Sequence, residues 1–202
     1  MAEQDQKRQL ILEAALKRFK RYGMAKTTME EIAKDLEISK GSLYYYFPDK
    51  DHIYVAAIKG IVNKSFEDVI RIAAVSESME EIMEAYISSK EKVLFDYHFL
   101  FGIHEWIHEK PSAIMRQVSD MVEKAEVCFL STWIKRGVEL GTISKTQDPE
   151  RCAQLLANVM FGFWVVWCKR QTPGFDLQDR ELLHTYMEME RDVMTIFFRG
   201  LA

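Results

Sequence analysis

A lysine, two small residues and three consecutive tyrosines, Lys40-Gly41-Ser42 and Tyr44-Tyr45-Tyr46, crowd one short stretch of this 202-residue chain. Ammonium and phenol groups suit phosphate oxygens and base edges, and Gly and Ser let another backbone come close. Lys50 adds a second cation where a helix is expected to begin, a pairing that favours an anion. A separate constellation offers different chemistry. His104 and His108 stand four apart, hence on one helix face, and with His98 and Glu109 nearby they could hold a metal. No third ligand is signalled, so a metal site is not expected. Neither a Gly-rich phosphate loop nor a nucleophile elbow is present.

These groups need elements to position them. Thr27 and Thr28 are helix N-cap residues, Glu30 and Glu31 suit the positive first turn, and Thr27 to Glu30 has capping-box spacing. Ile32, Ala33 and Leu36 form one apolar face, with Lys34, Asp35 and Glu37 toward water. Glu37-Ile38-Ser39 reads as a turn, with Ile38 between the helices and Ser39 capping a second helix over 40–46. Leu43 and Phe47 point inward. Because a helix buries one face, Lys40, Ser42, Tyr44, Tyr45 and Tyr46 lie on or near the outer surface. Pro48 stops this helix and Asp49 caps the next. A longer helix over 4–22 precedes them, with Ile11, Ala14, Ala15, Phe19 and Tyr22 as its apolar stripe and Gly23 at its end. Its Lys7 and Arg8 are further candidates for phosphate contact.

In one register, Thr28, Ile32-Ala33, Ser39, Gly41, Tyr44, Phe47, Lys50, Asp51 and Ile53 resemble the DNA-binding domain of the TetR family of bacterial transcriptional regulators. Two positions depart from it: Leu36-Glu37-Ile38 stands where the family has Ala-Gly-Val, and Asp51 where it has Glu. The resemblance implies an all-α fold, with an N-terminal three-helix helix-turn-helix domain and a C-terminal helical ligand-binding and dimerisation domain. Residues 1–50 and 51–202 are the expected extents. It implies contacts to a double-stranded DNA operator from Thr28, Ser39, Lys40, Gly41, Ser42, Tyr44, Tyr45, Tyr46 and Lys50. It also implies a homodimer on a palindrome, a small-molecule effector that releases it, repression rather than catalysis, and no cofactor.

The remainder of the chain is read as helical throughout. A helix over 49–74 would span roughly 40 Å, and no Gly- or Pro-rich linker separates it from the C-terminal helices. Ser78 caps the next helix, another is expected near Phe99, and 112–140 reads as a long helix ending at Gly141. Asp148-Pro149-Glu150 is a start signal for a helix to about Arg170, and the last helix covers 177–198. Both of these last helices carry apolar residues nearly all round, so they need cover on two sides, which a partner chain in a four-helix bundle would provide. All four Trp lie beyond residue 100. Phe95, Phe99, His104, Trp106, Phe129, Trp133, Phe161 and Trp164 are the candidate effector-pocket residues, for an apolar or aromatic ligand such as a fatty acyl group or a drug-like cation.

Charge is uneven: net −4 overall, with +2 in residues 1–50 and −6 after them. An acidic chain can still hold DNA through one clustered face. Cys128, Cys152 and Cys168 are odd in number and widely spaced, which argues against disulfides and structural zinc and for buried free thiols. No run of 18 apolar residues and no signal peptide are read, so a cytoplasmic protein without a membrane span is expected. The competing classes are a helical metalloprotein using His104 and His108, and a purely structural helical dimer.

Overall fold

The computed structural model describes residues 2–100, 112–145, 148–171 and 179–202. Among them are eight α-helices and no strand: α1 (Ala2–Tyr22), α2 (Met29–Asp35), α3 (Lys40–Tyr46), α4 (Lys50–Val75), α5 (Met79–Tyr97), α6 (Ala113–Glu139), α7 (Pro149–Arg170) and α8 (Arg180–Arg199), with a 3-10 turn at His98–Leu100. Helices α2 to α8 each open on a Ser, Thr or Asp whose side chain accepts a backbone N–H of the first turn: Thr28, Ser39, Asp49, Ser78, Ser112, Asp148 and Asp179. Pro149 stands just inside α7, where its missing N–H costs nothing.

Two hydrophobic cores result. The first joins α1–α4 through Ile11, Ala15, Phe19, Ile32, Leu43, Phe47, Ile53 and Ile58, closed by Leu100 and by Met115 and Val118 of α6. The second joins α4–α8 through Val69, Ala73, Ile82, Phe129, Trp133, Leu156, Met160, Tyr186 and Met194. Helix α4 belongs to both, and Phe66 packs against each core. The N-terminal and C-terminal halves are thus joined by one 26-residue helix rather than a linker. Ile58, Val62 and Tyr54 are buried on it, whereas Ala56, Ile61 and Ile70 are half-buried.

Helix α7 is the described helix that is long and apolar enough, by length and composition, to cross a membrane. In the fold its Ala153, Leu156, Ala157, Met160, Trp167 and Cys168 are buried against α6 and α8. Packing takes up part of its apolar content, with Leu155, Val159, Phe161 and Val166 left exposed. The thiols differ from the expectation that all are buried: Cys168 is buried, Cys152 half-buried and Cys128 exposed. Burial pushes the Cys168 thiol up to about 12.

Candidate nucleic-acid interface and effector cavity

The α2–turn–α3 unit is assembled from local signals. Thr28 caps α2, and its side chain and Glu31 satisfy each other's backbone N–H in a reciprocal capping box. This is one residue later than the Thr27–Glu30 register expected. Thr27 is instead buried, and its Oγ1 donates to the Gly23 carbonyl at 2.9 Å. The turn closes at Glu37 with φ +54°, the left-handed region in which Gly is at home. Ser39 Oγ accepts from the Ser42 N–H at 3.1 Å and starts α3.

Leu43 and Phe47 anchor α3 from below, both essentially without exposure. Tyr44 and Tyr45 stand out on the opposite side at 50% and 73% exposure, while Tyr46 is half-buried and lies edge-on to Tyr45. Thr28, Ser39, Lys40 and Gly41 are exposed and Ser42 half-exposed. Lys40 pairs with Glu30 of α2. Both groups are largely exposed, so the pair is a weak tether that a phosphate can replace.

Helix α1 braces this surface. The Arg8 guanidinium lies 4.3 Å over the Phe47 ring and its Nη1 donates to the Tyr46 carbonyl at 3.5 Å, while Gln4 donates to the Tyr45 hydroxyl at 3.3 Å. Arg18 grips Asp35 of α2 with Nε at 2.5 Å and Nη2 at 2.8 Å. That guanidinium holds the Asp35 carboxyl below its usual range. Tyr22, expected in the apolar stripe, is 46% exposed with Arg18 and Arg21 over its ring.

Lys50 is placed differently from the other candidates. Its ammonium donates to the carbonyls of Met24 at 2.7 Å and Thr27 at 2.9 Å, with Ala25 at 3.4 Å. It closes the C-terminal end of α1 and the loop that leads into α2. The sequence signal for this was the loop itself, whose carbonyls need a donor.

Between α4, α5, α6, α7 and α8 lies a cavity of about 220 Å³. Val62, Phe66, Val69, Val118, Met160 and Trp164 are among its apolar lining, and Lys90, Glu123 and Glu126 form its charged part. Two of the expected pocket residues, Phe161 and Trp164, line it. Phe129 and Trp133 do not; they are fully buried in the second core, stacked among Phe66, Tyr86 and Phe198. Phe95 packs at the edge of that core under Arg180, and Phe99 on the first core. Aromatic rings at helical spacing do not reveal which side of a helix faces a void. His104 and Trp106 lie outside the described residues.

What the sequence reading missed is the polar end of this cavity. Lys90 Nζ donates to Glu190 Oε1 at 2.5 Å, to the Tyr86 hydroxyl at 3.1 Å and to Glu126 Oε1 at 3.2 Å, and Tyr86 donates to Glu126. Burial raises the Glu190 carboxyl, and Lys90 only partly pulls it back. Burial would lower Lys90, but Glu126 and Glu190 hold it above the lysine range. A lysine in a helix surrounded by Ser and Glu reads as a solvated charge, and its partners are 36 and 100 residues away.

His108 likewise lies outside the described residues. The run His104-Glu105-Trp106-Ile107-His108 does have the H-E-x-x-H spacing of metal-binding helices, a stronger signal than two histidines alone. Among the described residues no group of three or more His, Cys, Asp or Glu is placed to hold a metal.

Comparison with known proteins decides between these readings. The family model for bacterial regulatory proteins of the tetR family matches residues 11–57, the segment that holds α2, the turn and α3. A solved transcriptional regulator from Cytophaga hutchinsonii ATCC 33406 superposes with a TM-score of 0.76 and 26% identity, over 96% of this chain and 97% of that one. Residues 11–57 thus carry the DNA-binding domain of the TetR family of transcriptional regulators. The HTH-type transcriptional regulator YhgD of Bacillus subtilis is 24% identical over 91% of this chain and 93% of its own length. RutR of Escherichia coli K12 is 37% identical, but over 45% of this chain and 42% of its own. FadR of Thermus thermophilus, a TetR-family repressor solved in complex with lauroyl-CoA, shares the fold at a TM-score of 0.63 and 23% identity, over 93% of this chain and 94% of that one. TetR regulators are not enzymes, and the α2–α3 unit is the helix-turn-helix of this domain.

Proposed function

We propose that this TetR regulator is a repressor that binds a palindromic operator as a homodimer and leaves it when a small apolar or aromatic molecule fills the cavity. The observation that carries the reading is α3 itself. A Ser39-capped helix held by Leu43 and Phe47 presents Lys40, Ser42, Tyr44 and Tyr45 outward, braced by Arg8 and Gln4. Lys40, Ser42, Tyr44 and Tyr45 reach bases or adjacent phosphates, Thr28 and Tyr46 hold the DNA backbone, and Ser39 and Gly41 let the strands approach. Lys50 contributes by fixing the loop before α2, with its positive charge still close to the phosphates. Residues 1–50 are the DNA-binding unit, and 51–202 the effector-binding and dimerisation unit.

Dimerisation uses the last two helices. Leu155, Val159 and Val166 recur along α7 at helical spacing, and Met189 and Ile196 along α8, all exposed. Exposed apolar residues repeated along two helices favour a second copy, and a two-fold axis suits a palindrome. The FadR–lauroyl-CoA complex and a SmeT–triclosan complex support a small-molecule effector on this fold. Transmission is available through α4, which lines the cavity with Val62, Ser65, Phe66 and Val69 and packs into the DNA-binding core with Ile53 and Ile58. A ligand releases DNA only if it prefers the α4 position that spoils the operator fit.

Recovery of genomic fragments bound by the purified protein at two salt concentrations tests the reading. One enriched short palindrome, lost steeply with salt, is the expected result. Tyr44→Ala and Tyr45→Ala should each weaken operator binding by about 1–3 kcal/mol, with dimer mass unchanged. Ile196→Glu should give a monomer with weak operator affinity. No enriched palindrome from a stable dimer would overturn the assignment.

A further inference from the structure

The polar end of the cavity holds more carboxyl groups than ammonium groups. Lys90 has three N–H donors, and three acceptors surround them: Glu190 Oε1 at 2.5 Å, Tyr86 OH at 3.1 Å and Glu126 Oε1 at 3.2 Å. Its donors are all engaged inside the protein. Two carboxylates thus face one ammonium. Glu190 is fully buried. The Tyr186 hydroxyl, on the cavity wall and equally buried, faces the Glu190 carboxyl. Glu126 lines the cavity, and exposed Glu123 adds a further carboxylate at its rim, accepting from Gln154 at 2.8 Å.

An anion entering this space would meet the carboxylates of Glu126 and Glu123 and find no free donor on Lys90. A protonated amine would find the opposite: carboxylate oxygens to donate to, and the faces of Tyr86, Phe161 and Trp164 around it. The rest of the lining, from Val62, Phe66 and Val69 to Met160, fits a hydrocarbon or aromatic body. We propose that the effector is an amphiphilic amine, with an apolar or aromatic body and one protonated nitrogen that donates to Glu126. The proposal rests on the reading of this cavity as the effector site and names the chemistry of its ligand.

Octylamine, octanoate and octanol share a chain and differ in the head group. Calorimetric titration of the full chain at neutral pH should show octylamine binding at least about tenfold tighter than octanoate, with octanol between them. Glu126→Gln should remove most of that preference and leave octanol affinity unchanged. Octanoate binding as well as octylamine, or none of the three binding, overturns the proposal on the wild-type chain alone, whether or not the variant folds. A preference that survives in a folded Glu126→Gln overturns the assignment to Glu126. Operator release is measured separately with the same three compounds. A clear amine preference without release leaves the ligand chemistry standing and removes the effector reading; release by octanoate without an amine preference does the reverse.

Discussion

The ammonium of Lys50 lies 2.7 Å from the carbonyl oxygen of Met24, across the start of α4 and the end of α1. With Thr27 at 2.9 Å it serves two backbone acceptors that no helix can satisfy. Lys50→Met should therefore destabilise the N-terminal domain by about 1.5–3 kcal/mol, the value of hydrogen bonds to a charged group. The loss should appear in thermal unfolding and as faster amide exchange over residues 24–31, without DNA present. Unchanged stability with reduced DNA affinity would show that the ammonium acts on phosphate alone.

Much of the N-terminal half is legible in the sequence because its signals are local. Thr28, Ser39 and Asp49 are caps, Gly23 takes φ +78° as a helix terminator, and Leu43 with Phe47 marks the inner side of α3 within a single turn. The cavity is not legible in that way. Lys90, Glu126 and Glu190 meet from three helices, and each alone looks like surface charge. Trp133 and Phe129 look like pocket candidates by type, yet fill the core, since side-chain size says nothing of which helix covers it.

Glu37 strains the turn. A side chain at φ +54° costs about 1 kcal/mol or more that Gly avoids. Glu37→Gly should raise the urea midpoint by the equivalent of about 0.5–1 kcal/mol, less the opposing effect of a freer unfolded chain. Glu37→Val should lower it, because a β-branched residue is poorly tolerated there. The opposite order of the two variants would mean that the turn relaxes out of the left-handed region.

Lys90 donates to two carboxyl groups, so its loss should be felt more than the loss of either one. Lys90→Met should cost about 3–5 kcal/mol at neutral pH, as for a buried pair stripped of one partner. Glu190→Gln should cost much less, since Lys90 keeps Glu126, and adding it to Lys90→Met should restore part of the stability. Glu190 already has its folded pKa raised by burial, with Lys90 opposing. A raised carboxyl favours folding below its unfolded value, about 4.3, and loses that contribution as pH rises through the folded value. The Lys90→Met deficit should accordingly shrink as pH falls from neutrality. A double-mutant cycle with no coupling between positions 90 and 190 would contradict this account.

The Arg18–Asp35 pair has the opposite sign. Arg18 hydrogen-bonds both Asp35 oxygens and depresses the folded pKa, with its charge adding to the effect. The stabilisation is fully present above the unfolded value, about 3.9, and is lost as pH falls through the folded value. Asp35 is 41% exposed, so solvent screening limits the pair to about 0.5–1 kcal/mol despite its two-pronged geometry. Asp35→Asn should thus be less stable than the wild type by that amount at pH 6, and equally stable well below pH 3. Unfolding curves of the two proteins measured across that range should converge at the acid end. A constant gap would assign the difference to the shape of the amide rather than to the charge.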